Sequence, residues 1–158
     1  MSFSDHGADA DRLLTFEIQG ELYALPIDGV LEVSDAEKLY CIPTVAPRFA
    51  EVINHHGDAL PVVHRDDLLG LQEDRTDRDS RVGSPVLVIS DRRSATAKMG
   101  LLVDRVVGLE KGCAAASRGT DPVAERRELG GRVASVLDPC RLVERAQQLI
   151  ETSVRGTA

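Results

Sequence analysis

The chain has 158 residues, a formal net charge of −7, 3% aromatic residues and no tryptophan. That composition lacks both the basic face and the stacking platforms that nucleic acids require, and no apolar run approaches the roughly 20 residues needed to cross a bilayer. Met1 to Asp11 is polar and acidic with no apolar signal core, and three scattered cysteines, Cys41, Cys113 and Cys140, predict reduced thiols in a cytoplasmic protein.

Residues 1–11 are expected to form a flexible tail. Leu14-Thr15-Phe16-Glu17-Ile18 alternates apolar and polar residues, the period of a half-buried strand. Gln19-Gly20-Glu21 turns the chain, and Leu22 to Ile27 completes a hairpin. Val30-Leu31-Glu32-Val33 reads as a third strand, followed by a polar loop from Ser34 to Tyr40. Two prolines in Ile42-Pro43-Thr44-Val45-Ala46-Pro47 make that stretch extended and short of ladder donors.

Val52-Ile53-Asn54-His55-His56-Gly57-Asp58-Ala59-Leu60-Pro61-Val62-Val63 is the most informative segment. Two apolar runs flank a polar tip, and Gly57 supplies a positive φ, so a hairpin with its tip in water is predicted. Pro61 cannot donate to a ladder, which places its strand at an edge or a bulge. Open edges dock partners.

Arg65 to Leu69 suits one helical turn stopped by Gly70. Gln72 to Arg81 is nearly all charged or small and polar, and reads as a solvated loop. Pro85 to Ile89 is a buried strand. After a polar turn over Asp91 to Lys98, Met99 to Val103 and Val106 to Leu109 return as strands. Gly112 to Glu128 is poorly patterned, and its charged part, Ala124-Glu125-Arg126-Arg127-Glu128, is expected to leave one side of the sheet frayed. Val133 to Leu137 is the last strand. Asp138 then caps a helix with Pro139 at its first position and an apolar stripe of Leu142, Ala146, Leu149 and Ile150. Residues 153–158 are expected to fray.

About nine short, closely spaced strands and one terminal helix predict an all-β barrel or sandwich. The two halves look alike in outline, which suggests two small barrels around one core. Residues 12–152 would form that single domain.

These pieces are similar, in order, to a CheW-like domain, the coupling module of bacterial chemosensory arrays. The resemblance runs from about Leu14 to Val143. It is carried by Phe16 to Ile27, the Glu-Val pair of Val30-Leu31-Glu32-Val33, Ile42-Pro43 with Pro47, and Val52-Ile53-Asn54 with Gly57 and Leu60 to Val63. Gly100-Leu101-Leu102-Val103-Asp104-Arg105-Val106 matches the signature of the second barrel, and Val136-Leu137-Asp138 with Leu142 matches the end. The resemblance implies two SH3-like five-stranded β-barrels sharing a core, with a C-terminal helix. It implies a non-enzymatic adaptor that binds the regulatory domain of a CheA-type histidine kinase and the cytoplasmic tip of a chemoreceptor. Carried over by position, Val30 and Glu32 belong to a kinase-binding or neighbour-binding edge. The tip of Asn54, His55, His56 and Gly57 lies near the receptor groove. Leu102, Val103, Val106 and Val107 line that groove or the core beneath it. Weak self-association through the open edge is a further expectation.

The chain departs from the family at the hairpin tip. Where the family usually reads Asn-Leu-Arg-Gly, this chain reads Asn54-His55-His56-Gly57. His64-Arg65-Asp66 stands where Asp-Leu-Arg usually follows. Arginine is always charged and presents a fixed fork of donors, whereas His56 is shorter and mostly neutral at pH 7. The alternative within the family is therefore a specialised accessory protein without receptor coupling, serving surface motility or gene regulation.

From another class, His55, His56, His64 and Cys41 carry donors that suit zinc and a metal-responsive regulatory module. Their spacing fits no familiar zinc pattern, and adjacent strand residues point to opposite faces, so no metal site and no cofactor is assigned. Ser117, Ser135 and Asp104 exist beside the histidines, but no Gly-x-Ser-x-Gly elbow or glycine-rich phosphate loop appears. Asp104, at a strand end, is expected to cap a turn through backbone N–H groups.

Overall fold

The computed structural model describes residues 11–35, 38–41, 50–71, 83–91, 95–113 and 119–155. The N-terminal tail up to residue 10, the proline-bearing stretch, the charged Gln72 to Arg81 segment, residues 92–94 of the polar turn and residues 156–158 lie outside the described residues.

Strands β1 (Arg12–Ile18) and β2 (Glu21–Pro26) form the predicted hairpin. Its turn holds Gln19 at φ 53° and Gly20 at φ 78°. Two successive left-handed residues are the signature of a type I′ turn, whose twist matches that of the strands. One 3-10 turn, Ile27–Gly29, leads into β3 (Val30–Asp35), so the third strand reaches two residues further than the sequence suggests. A short β4 (Tyr40–Cys41) precedes the central hairpin of β5 (Ala50–His55) and β6 (Asp58–Val63). Helix α1 (Arg65–Leu69) ends at Gly70, which adopts φ 66° as the stop signal requires. Then come β7 (Pro85–Ile89), β8 (Met99–Leu102), β9 (Arg105–Lys111), β10 (Val123–Leu129), β11 (Arg132–Leu137) and α2 (Pro139–Arg155).

The strands sort into two sheets, ordered β10-β11-β2-β1-β9 and β3-β7-β8-β6-β5-β4. The two sequence halves therefore do not each make their own sheet. The first hairpin joins the last strands, and β7 and β8 join the early ones. The expectation of two five-stranded barrels is met only in its coarser form, two sheets and a C-terminal helix. One sheet has six strands, and among the described residues neither ladder pairs its first strand with its last.

Three apolar clusters lie in layers. A large shared core takes Leu14, Phe16, Ile18, Tyr23 and Leu25 from one sheet, Val63, Leu87, Ile89, Met99 and Leu101 from the other, and Leu142, Val143 and Ala146 from α2. On the opposite face of the five-stranded sheet, Leu13, Leu22, Ala24, Leu129, Ala134 and Val136 make a smaller cluster. On the opposite face of the six-stranded sheet, Ile53, Leu60, Val62, Val86, Val88 and Leu102 make another. Strand β1 is thus covered on both sides: Leu13 and Thr15 are as buried as Leu14 and Phe16. Its alternating sequence predicts one wet face. The polar Thr15 tolerates burial because its hydroxyl donates to the Gly108 carbonyl, 3.1 Å away.

Strand β10 corrects a second expectation. The charged segment is a full strand, paired with β11 from Val123 to Leu129. It lies at the sheet edge, where one flank stays wet and charge is tolerated. Glu125 pairs with Arg127, whose guanidinium donates to the Cys113 carbonyl at 3.0 Å. The Asp138 cap and the start of α2 are as expected, but residues 153–155, expected to fray, belong to the helix. Asp138 Oδ1 accepts from the Cys140 and Arg141 N–H groups at 2.9 and 3.4 Å, and the helix continues through Arg155.

Candidate functional site

The outer strands of the six-stranded sheet approach each other. Strand β3 is first in the order and β5 is fifth. In a flat sheet four strand spacings hold such strands roughly 19 Å apart. Yet Glu32 Oε2, on β3, lies 3.0 Å from His55 Nε2, at the end of β5, and 2.9 Å from His56 Nε2. The sheet must therefore curl on itself. The curl is toward the smaller cluster, because Glu32 is opposite Val88 and His55 follows Ile53 by one strand period. Side chains close a ring that the backbone ladder leaves open.

Two backbone devices aim these groups. The β3–β7 register shifts between Val30 and Glu32, a bulge that re-aims a side chain. His56 adopts φ 51° beside Gly57 at φ 90°, so the tip is a second type I′ turn. Asn54 Oδ1 accepts the Gly57 N–H at 2.8 Å and holds it. The expectation that adjacent histidines face opposite ways assumed that both lie in a strand. His56 has left the strand, so the two rings meet edge to face, 4.3 Å between centroids. Hydrogen bonds first from His56 and then from His55 hold the Glu32 carboxyl below the usual carboxylate range.

The other rim of the same cluster carries a second Glu–His contact. Glu51 is buried, and its Oε1 lies 3.2 Å from His64 Nε2. His55 and His64 sit at opposite ends of the hairpin, since His55 faces Asp58 and Ala50 faces Val63. The four-donor set of Cys41, His55, His56 and His64 is therefore split.

A cleft of about 530 Å³ runs along the open seam, lined by Glu32, Ser34, Lys38, Tyr40, His55 and His56. Lys38 Nζ sits 5.0 Å from the Tyr40 ring centroid. Tyr40, expected in a loop, begins strand β4, and its ring is half-exposed at the surface.

The five-stranded sheet is stitched differently. Glu17 Oε1 receives Arg105 at 2.9 Å and Arg132 at 2.7 Å. Arg105 first and then Arg132 hold the Glu17 carboxyl below its ordinary range. Asp104 does cap a turn, as expected: its Oδ2 accepts the Gln19 N–H at 2.7 Å, while its Oδ1 accepts Arg65 at 2.7 Å.

The structure brings Glu32, Asn54, His55, His56 and Gly57 together at one rim. Val30, Leu102 and Val103 are buried, 2%, 7% and 0% exposed, and support a surface without forming it. Val106 is half-buried, and Val107 and Leu109 on β9 are exposed.

The sequence profile of the CheW-like domain matches residues 12–147. The chain belongs to the CheW-like domain family. It is structurally similar to the scaffolding protein TtCheW from Thermoanaerobacter tengcongensis, with a TM-score of 0.65 and 20% identity over 84% of this chain and 92% of that one. No curated protein matches in sequence. At that identity the likeness establishes the shared fold. The match of the family profile places this CheW-like protein among chemotaxis signal-transduction scaffolds. No described helix is long and apolar enough to cross a membrane.

Proposed function

We propose that this CheW-like protein is a non-enzymatic coupling scaffold of a bacterial chemosensory pathway, holding a CheA-type kinase regulatory domain beside chemoreceptor tips. The observation that carries this reading is the match of the family profile over residues 12–147. Two surfaces support it. Among the described residues strand β3 has a paired strand on one side only, and it presents Glu32 at the curled seam, an edge suited to the kinase domain. Strand β9 is also an edge and exposes Val107 and Leu109, an apolar strip suited to a helical receptor tip. Each contact is small, and multivalency in an array raises the net affinity. Reconstitution with the two partner fragments tests the assignment. Glu32→Lys should weaken kinase-domain binding and spare the receptor fragment, and Val107→Glu should do the reverse, both with near-native melting. Full binding of both partners by both variants would overturn it.

A second reading is the accessory protein without receptor coupling. It is favoured by His56, which stands where the family carries arginine and is engaged with Glu32. His56→Arg should then confer receptor binding that the natural chain lacks.

A further inference from the structure

We propose that Glu32, His55 and His56 form a binding site for a borderline divalent metal ion, with Zn²⁺ as its test ion. The three donor atoms, one carboxylate oxygen and two imidazole nitrogens, all lie within 4.8 Å of one another. Both Nε2 atoms point at the same oxygen, at 2.9 and 3.0 Å. Two donors bound to zinc at about 2.0–2.1 Å in tetrahedral geometry stand roughly 3.3 Å apart. Both carboxylate–imidazole distances are within a few tenths of an ångström of that span, and the exposed His56 ring is free to turn its nitrogen toward an ion.

The backbone reinforces the geometry. A bulge in β3 and a left-handed histidine in the β5–β6 turn both break regular structure at the point where the donors meet. Such departures carry a cost and persist where the surroundings hold them in place. The donor set selects the ion. Magnesium and calcium require oxygen ligands, whereas two imidazoles and a carboxylate suit zinc and its neighbours. Each neutral imidazole turns its Nε2 lone pair to the ion and carries its proton on Nδ1, while Glu32 stays ionised. The fourth position opens into the cleft of about 530 Å³, ample for a water ligand. Burial grades across the site: the side chains of His55 and Glu32 are 17% and 25% exposed and that of His56 is 72% exposed. The first two anchor the ion, and His56 closes over it from solvent. Bound there, the ion ties the hairpin tip to β3 across the seam that the ladder leaves open.

The test uses the full-length protein, stripped with a chelator and titrated with Zn²⁺ against a chromophoric competitor. One equivalent should bind. His56→Asn, which tolerates the left-handed backbone, and Glu32→Gln should each weaken binding roughly tenfold or more. His64→Gln and Cys41→Ser should leave it unchanged. Zn²⁺ should also raise the melting temperature of the natural chain, but not that of His56→Asn. Substoichiometric uptake, or uptake that survives in both His56→Asn and Glu32→Gln, overturns the site. So does uptake lost equally with Cys41→Ser.

Discussion

The two sheets solve one problem with different partners. In each, a glutamate reaches beyond its own strand to tie strands together. In the five-stranded sheet Glu17 is gripped by Arg105 and Arg132, whose charge does not depend on pH. In the six-stranded sheet Glu32 meets His55 and His56, whose imidazole nitrogens can ligate metals. The first stitch joins a carboxylate to guanidinium groups, and the second joins a carboxylate to imidazoles. The second lies at the rim where edge strand β3 meets the β5–β6 hairpin tip. The first sits with Asp104, which secures the first turn from the link between β8 and β9.

The comparison breaks most severely if the shared core is removed. Phe16 is fully buried and stacks on Tyr23 at 6.0 Å. Phe16→Ala should cost about 3–5 kcal/mol, measured by chemical denaturation. The two tyrosines, Tyr23 in one sheet and Tyr40 in the other, allow fluorotyrosine NMR to follow each sheet. Both signals should melt together. Separate transitions would show that the sheets are independent units.

A smaller loss is expected from Gly100→Ala, in the six-stranded sheet. A Cβ there would lie 2.8 Å from Val86 Cγ1 and 3.1 Å from Val62 Cγ2. Both neighbours are β-branched and stiff, so overpacking should cost about 1–3 kcal/mol. Unaltered stability would mean that this cluster is loosely packed. Asp138→Ala tests the helix that both sheets pack against. Loss of the cap should lower unfolding free energy by about 1 kcal/mol, with helical circular dichroism falling only near the helix start. A change of zero would show that other groups satisfy the α2 N–H groups.

The mildest perturbation sharpens the contrast between the stitches. The folded-state pKa of Glu17 is depressed by Arg105 and Arg132. Its contribution is therefore present above the ordinary glutamate range and lost as pH falls through the lowered value. Glu17→Gln should melt slightly below the natural chain at neutral pH, and the gap should close in acid. A gap that widens in acid would contradict the assigned direction.

Much of the fold is legible in local sequence. The β5–β6 hairpin, the Gly70 stop, the Asp138 cap and the α2 stripe all rest on interactions within a few residues. Strand β10 was not legible, because its charged residues lie at an edge where solvent reaches them and periodicity loses its apolar half. The β1 pattern was legible but incomplete. Alternation records one dry face and is silent about a neighbour that covers the other. Of the candidate residues, Glu32 and the Asn54 to Gly57 tip could be named from sequence. Their meeting could not, because a strand-based argument sends His55 and His56 to opposite faces and only the left-handed turn reunites them.

The sequence by itself determined where the chain turns, which segments are strands, how the last helix begins and to which family the chain is similar. Tertiary structure alone decided which strands share a sheet, and that a glutamate on one edge reaches two histidines on the far side. The physical reason is range. Turn chemistry and periodicity act over a few residues, whereas strand sorting and the curl of a sheet arise from packing two apolar faces at once.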